Sequence, residues 1–174
     1  MSGGAVIDGR YRYSLWRNLK SSYRDGTATF IMLNPSTADA MKDDPTIRRC
    51  IGCAERLGYG WLMVVNLFAF RATNPADLKD ALNCGIDSVG PKNTTYIEEA
   101  VSRSKVIVAA WGVPKWPFVK DRVRTVVEQV REIGAYQPGP DRFVALGFTK
   151  DGHPRHPLYA PYSTIMERMF REGT

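Results

Sequence analysis

The chain has 174 residues, with 24 Lys and Arg against 18 Asp and Glu, for a formal charge of +6. At this length a single domain over residues 1–174 is expected, because about 150 residues bury roughly two-thirds of their unfolded surface and need no staples. The 44% hydrophobic content excludes a tail or a linker. No apolar run approaches the ~20 residues of a membrane span, residues 1–10 lack the basic and apolar regions of a secretory leader, and three cysteines cannot all pair, so a cytoplasmic protein with reduced thiols is expected. The positive charge points to an acidic partner, of which nucleic acid is the commonest.

In chain order, the alternating segment Tyr11–Arg17 reads as an antiparallel edge strand at the N-terminal side. Four short β-branched or aromatic segments bounded by turn residues follow, Thr27–Leu33, Trp61–Leu67, Lys105–Trp111 and Arg142–Phe148, and read as buried parallel strands. Helix signals lie between them. Asp44 and Pro45 cap and open a helix over Thr46–Leu57, Asn74 and Pro75 do so for Ala76–Leu82, and Pro91 opens a third through Arg103. After Pro117, Val119, Val123, Val126, Val127, Val130 and Ile133 recur at helical spacing until Gly134. Gln137–Pro140 is a loop, and Tyr162–Arg171 reads as a closing helix. The expected fold is α/β: one three-layer domain with a central four-stranded parallel sheet plus the N-terminal edge strand.

In such a sheet ligands bind beyond the carboxyl ends of the strands. The residues there are Asn34, Pro35 and Ser36 after the first strand; Asn66, Phe68 and Phe70 at the second; Trp111 and Gly112 at the third; and a loop with Lys150, His153, Arg155, His156 and Leu158 after the fourth. Each has an ordinary alternative: Asn-Pro turns cap helices, and Phe68, Phe70 and Trp111 fit a core. Asn66 is harder to explain that way, because an amide in an apolar strand is costly unless bonded. The His-Pro-Arg-His-Pro loop spends both histidines of the chain on one stiff basic turn.

The order of these motifs, strand-Asn-Pro, strand-Asn, strand-Trp-Gly and strand-loop-His-Pro, resembles the uracil-DNA glycosylase superfamily over about residues 30–159. The stretches Leu33–Ala38 and Gly152–Leu158 also resemble a bacterial and phage family of unknown function. The superfamily resemblance implies a glycosylase-like three-layer fold and a monofunctional DNA glycosylase that needs no cofactor or metal. It makes Asn34 the residue that positions the attacking water, Asn66 a hydrogen-bonding partner of the extruded base, and a loop histidine the support for the departing base. Leu158 or Arg155 would fill the hole left in double-stranded DNA, Lys150 would contact it, and Phe68, Phe70 and Trp111 would supply stacking.

The loop has one residue more than the superfamily pattern, so His153 and His156 compete for the leaving-group role, with His153 favoured. Met32 and Leu33 stand where many members have glycine. Ser36 replaces the bulky tyrosine that blocks C5 of the base in the uracil-specific branch, which implies a C5-modified pyrimidine, such as glucosylated hydroxymethylcytosine in phage DNA, and a role in antiphage defence. Mismatch or uracil repair, a non-catalytic reader of modified bases and a nucleotide-processing hydrolase are the alternatives, and a monomer is the expected state.

Basic residues cluster at 9–24, with five and no acid, and at 103–124, with six and one Asp. Cys50 and Cys53 lack a second pair for zinc. Asp39, Asp43 and Asp44 fit helix capping better than a nuclease metal site.

Overall fold

The computed structural model describes residues 2–19, 24–135 and 142–170. Among them the chain forms, in order, β1 (Gly3–Asp8), β2 (Tyr11–Asn18), β3 (Arg24–Met32), α1 (Pro45–Arg56), β4 (Tyr59–Asn66), α2 (Ala76–Asn83), α3 (Asn93–Ser102), β5 (Ser104–Ala109), α4 (Pro117–Ala135), β6 (Phe143–Ala145) and β7 (Glu167–Arg168). The strands make one sheet in the order β1-β2-β4-β3-β5-β6-β7. The Gln137–Pro140 loop lies outside the described residues.

The sheet is mixed. Its β4-β3, β3-β5 and β5-β6 pairs are parallel, whereas β1, β2 and β7 are attached antiparallel. The expectation of a four-stranded parallel sheet with one edge strand is therefore corrected to seven mixed strands. Tyr11–Arg17 belongs to β2 and is interior, because the glycine-led β1, a composition that carries no strand signal, pairs along its outer side.

The inner strands read as continuous apolar runs because both faces are covered. Phe30, Leu62, Val64, Val106 and Val108 pack toward Ile47, Cys50 and Ala54 of α1. Ile31, Val65, Ile107 and Phe143 pack toward Leu78, Ile97, Val119 and Val126 of α2, α3 and α4. The layer of each helix follows from the right-handed crossover rule, since β3 to β4 moves one way along the sheet and β4 to β5 the other. Helix α1 starts where expected, Asp44 Oδ1 accepting from the Ile47 N–H (2.8 Å) ahead of Pro45.

Tyr162–Arg171 does not form a helix over its described part. Met166 packs into the layer of α1, and Met169 and Phe170 into that of α4. A helix would put Met166 and Met169 on one face; strand alternation puts them on opposite faces, and β7 pairs with β6. The apolar spacing in this segment satisfies both periods, and pairing to an open sheet edge decides between them.

The interior strand β2 carries a bulge. Val6 pairs with Ser14 and Ile7 with Arg12, so Tyr13 has no partner on β1. The extra residue breaks the alternation: Tyr13 stacks on Tyr96 of α3 at 5.1 Å, while Arg12 and Arg17, five residues apart, both enter the layer of α1. Arg17 is 4% exposed and donates to Asp43 (2.9 Å) and to the carbonyl of Asp39 (2.6 Å). Arg17→Ala removes a buried cation from two half-buried acceptors that water can partly reach, and is expected to cost about 1–2 kcal/mol. A lower urea midpoint at unchanged slope checks this; a midpoint within error of the wild type would refute it.

Candidate functional site

The strand order reverses beside β3: the chain steps from β3 to β4 on one side, then returns to β5 on the other. The loops leaving β3 and β5 therefore diverge onto opposite faces, and a crevice opens between them at their carboxyl ends. A cleft of about 570 Å³ lies there. Its lining comes from Leu33, Asn34 and Ser36 after β3, Asp44 and Thr46 at the start of α1, Asn66 at the end of β4, Trp111 to Lys115 and Trp116 after β5, and Thr149, Arg155, His156, Leu158 and Tyr159 after β6. Arg12 joins them because β2 is antiparallel, which puts its first residues at the same end of the sheet.

Asn34 is held by its donor end. Its Nδ2 donates to the carbonyls of Ala72 (2.7 Å) and Pro35 (3.1 Å), tying the β3 loop to the chain that follows β4. Only its Oδ1 is left to accept a hydrogen bond. Ser36, half-buried, lies two residues on along the same wall.

Asn66 forms the floor. It is 1% exposed, and neither Nδ2 nor Oδ1 has a partner, although its backbone carbonyl accepts from Asn93 Nδ2 (3.0 Å). An unpaired buried amide costs about 1–3 kcal/mol, which a ligand meeting both groups would offset. Asn93, also buried, bonds Leu67 O as well (3.0 Å), and Arg122 Nε reaches that same carbonyl (2.9 Å). This knot fixes the last turn of β4.

The β6 loop separates the two histidines. His156 lines the cleft, and its Nδ1 accepts from the Leu158 N–H at 3.3 Å, so the neutral ring carries its proton on Nε2. Burial pulls its pKa below the ordinary 6.5, with the charge of Asp44 opposing the shift. Gly112 faces this loop, and its φ of +78° is what favours glycine, since a Cβ there would meet His156 Cβ only at ordinary contact distance, 3.5 Å. His153 instead closes a turn with Thr149, donating its N–H to Oγ1 (3.1 Å) and accepting the Thr149 N–H (2.8 Å), and does not line the cleft. Of the two histidines that compete in the sequence, His156 is therefore the one on the cleft wall.

Trp111, 4% exposed, and Trp116, stacked on Phe118, form an apolar wall. Phe68 and Phe70 do not reach the cleft: Phe68 meets Phe118 edge-on at 5.7 Å in the core, and Phe70 packs on the same cluster. Beyond β4 the chain bonds back to Ser88 and Val89 and turns away from the opening. Arg155 donates Nε to Phe148 O (3.0 Å), Leu158 and Tyr159 stand exposed at the rim, and Lys150 is exposed on the His153 turn away from the lining.

Arg12, Asp44, Lys115, Trp116 and Tyr159 line the cleft without having been singled out for it from sequence. Arg12 had a signal, a charged residue in a strand otherwise rich in aromatics, but the bulge that aims it is not local to its own strand. It is 2% exposed, donates to Ala38 O (2.7 Å) and keeps Nε unpaired; burial brings its pKa to about 10, so it stays cationic. Of the three aspartates, Asp39 bonds the N–H groups of Met41 and Lys42, Asp43 pairs with Arg17, and Asp44 caps α1.

The low His156 pKa has a sign that can be measured. The unfolded chain binds a proton near 6.5 and the folded chain only at lower pH, so this group's contribution is complete above the unfolded value and is lost as pH falls toward the folded one. Wild type should lose stability relative to His156→Gln on acidification below about pH 6.5. Parallel stability-versus-pH curves for the two proteins would refute the shift.

A family model described as a protein of unknown function (DUF1643) matches residues 12–158. No curated protein and no solved structure matches the chain. The family match runs from the strand that carries Arg12 to the rim that carries Leu158, and the chain belongs to that family.

Proposed function

We propose that this chain is a DNA glycosylase that hydrolyses the N-glycosidic bond of a flipped-out pyrimidine and leaves an abasic site. The observation that carries the reading is Asn66, a buried amide whose donor and acceptor are both unpaired at the floor of a cleft. A pyrimidine edge presents the complementary donor and acceptor side by side, as other nucleic-acid enzymes use when they read an extruded base. The cleft volume falls in the range of about 300–1,000 Å³ typical of small-ligand sites.

The remaining groups suit an oxocarbenium-like transition state. His156 offers Nε2–H to the negative charge that grows on the departing base, from a half-buried position on the cleft wall. Asn34 Oδ1 orients water. Trp111 and Trp116 supply an apolar wall, while Arg12, Lys115 and Arg155 outnumber the one carboxylate of the lining and favour a polyanion. Leu158, 43% exposed at the rim, would occupy the place of the flipped base.

Ser36 supports the finer substrate assignment, a pyrimidine enlarged at C5 such as glucosylated hydroxymethylcytosine. A small side chain on the wall beside Asn34 leaves space that a phenol ring would fill. Attack on such bases would damage phage genomes and spare unmodified host DNA, which makes antiphage defence the proposed role.

Incubation with plain, uracil-containing and glucosylated DNA, followed by detection of free base and abasic sites, tests the activity. Release from glucosylated DNA is expected. Release of uracil alone would assign repair, and tight binding without release would assign a reader. Ser36→Tyr should lower turnover of the glucosylated substrate at least about tenfold relative to an unsubstituted pyrimidine. Asn66→Leu should keep or raise stability, within about 1 kcal/mol, because no bond is lost, while base release falls by about a hundredfold or more. An Asn66→Leu protein that unfolds, or one that turns over normally, would contradict this account of the floor.

A further inference from the structure

Asp44 is the only acidic residue among the described residues that line the cleft. Its N-cap role uses one oxygen, Oδ1, on the Ile47 N–H, and leaves Oδ2 available. The other acids of the same loop are engaged elsewhere, Asp39 on two backbone N–H groups and Asp43 on Arg17.

Arg12, from β2, makes the second, independent observation. It is a cleft residue, 2% exposed, whose Nε has no partner, and its guanidinium feels the charge of Asp44 without forming a direct ion pair with it. Both residues line the one cleft, and each keeps an atom without a partner, Nε of Arg12 and Oδ2 of Asp44. Among the described residues the other charged groups of this lining are Lys115 and Arg155, with His156 titratable.

The proposed reaction needs a group that can take a proton from water. Asn34 cannot: an amide oxygen accepts a hydrogen bond but is too weak a base to hold the proton, and its nitrogen is tied to two carbonyls. We propose that Asp44 is a catalytic residue of the glycosidic hydrolysis, the general base and the counter-charge to the oxocarbenium-like sugar. The inference rests on the glycosylase reading above.

As the C1′–N bond breaks, its electron pair goes to the base nitrogen, where His156 Nε2–H bonds the developing anion. The water oxygen, held by Asn34 Oδ1 and Asp44 Oδ2, bonds to C1′. The water proton passes to Asp44 Oδ2 and then to solvent, and the released base takes up one proton. The products are the free base and the abasic sugar hemiacetal, and one water is consumed.

Asp44→Asn separates chemistry from capping, because Asn caps a helix as well as Asp. On the DNA that wild type cleaves, its single-turnover rate should fall by about a hundredfold or more, with DNA affinity within threefold and the melting temperature unchanged. Asp39→Asn, on the same loop but outside the lining, should keep the wild-type rate. In Asp44→Asn the His156 titration midpoint, followed by proton NMR of the ring, should move further down, a response that loss of a cap alone does not produce. Normal turnover by Asp44→Asn overturns the catalytic role and leaves the glycosylase reading intact. A wild type that releases no base from any of the three DNAs overturns both.

Discussion

Two arginines buried against the carbonyls of one loop hold the functional end of this protein together. Arg12 grips Ala38 O, and Arg17 grips Asp39 O and the Asp43 carboxylate. The loop between β3 and α1 has no regular structure of its own beyond the turn at Asp39, so its conformation depends on these contacts. The end of the loop follows from them, Asp44 and the first turn of α1, while its start is tied by Asn34 to Ala72 O and by Ala72 N–H to Pro35 O. Both arginines act from one strand only because the bulge at Tyr13 turns Arg12 to the side of Arg17.

The topology explains why the cleft lies where it does and the arginines explain why it keeps its shape, but neither explains its polarity. Folding leaves the Asn66 amide unpaired at the floor and the Arg12 Nε unpaired at the wall. Each costs stability; the Asn66 side chain, which makes no bond, would be cheap to replace by an apolar residue of similar size, whereas Arg12 also holds Ala38 O. Other buried polar atoms, on Tyr13, Arg71, Asn93 and Arg122 among them, are unpaired away from the cleft, but Asn66 and Arg12 are the ones that line it, where a ligand can reach them.

What the sequence made legible was local or topological. The Asp44-Pro45 helix start depends on neighbouring residues alone, and the four inner strands declare themselves because two covered faces demand continuous apolar runs. The rule that ligands sit beyond the carboxyl ends of strands picked out Asn34, Ser36, Asn66, Trp111, Arg155, His156 and Leu158, all of which line the cleft. Phe68 and Phe70 lie outside it because the chain leaves β4 under hydrogen bonds to Ser88 and Val89, and Lys150 and His153 because the β6 loop turns back on Thr149. What stayed hidden was set by partners distant in sequence: the pairing of β1, the bulge opposite Val6 and Ile7, and the capture of Glu167 and Arg168 by β6.

The division of labour between Asn34 and Asp44 has a structural reason. An aspartate at position 34 could not donate to Ala72 O and Pro35 O; it would set a negative charge against two carbonyls and release the tie between the β3 loop and the segment after β4. The residue that holds this loop closed must therefore carry a donor, which an amide has and a carboxylate lacks. A negative charge is best placed in the same cleft at a position whose backbone neighbours are donors, and the first turn of a helix is such a place. Asp44 meets free N–H groups at the start of α1 and leaves an oxygen over for the cleft. The loop that joins the two residues brings a neutral acceptor and an anion to one wall without making either oppose its own backbone.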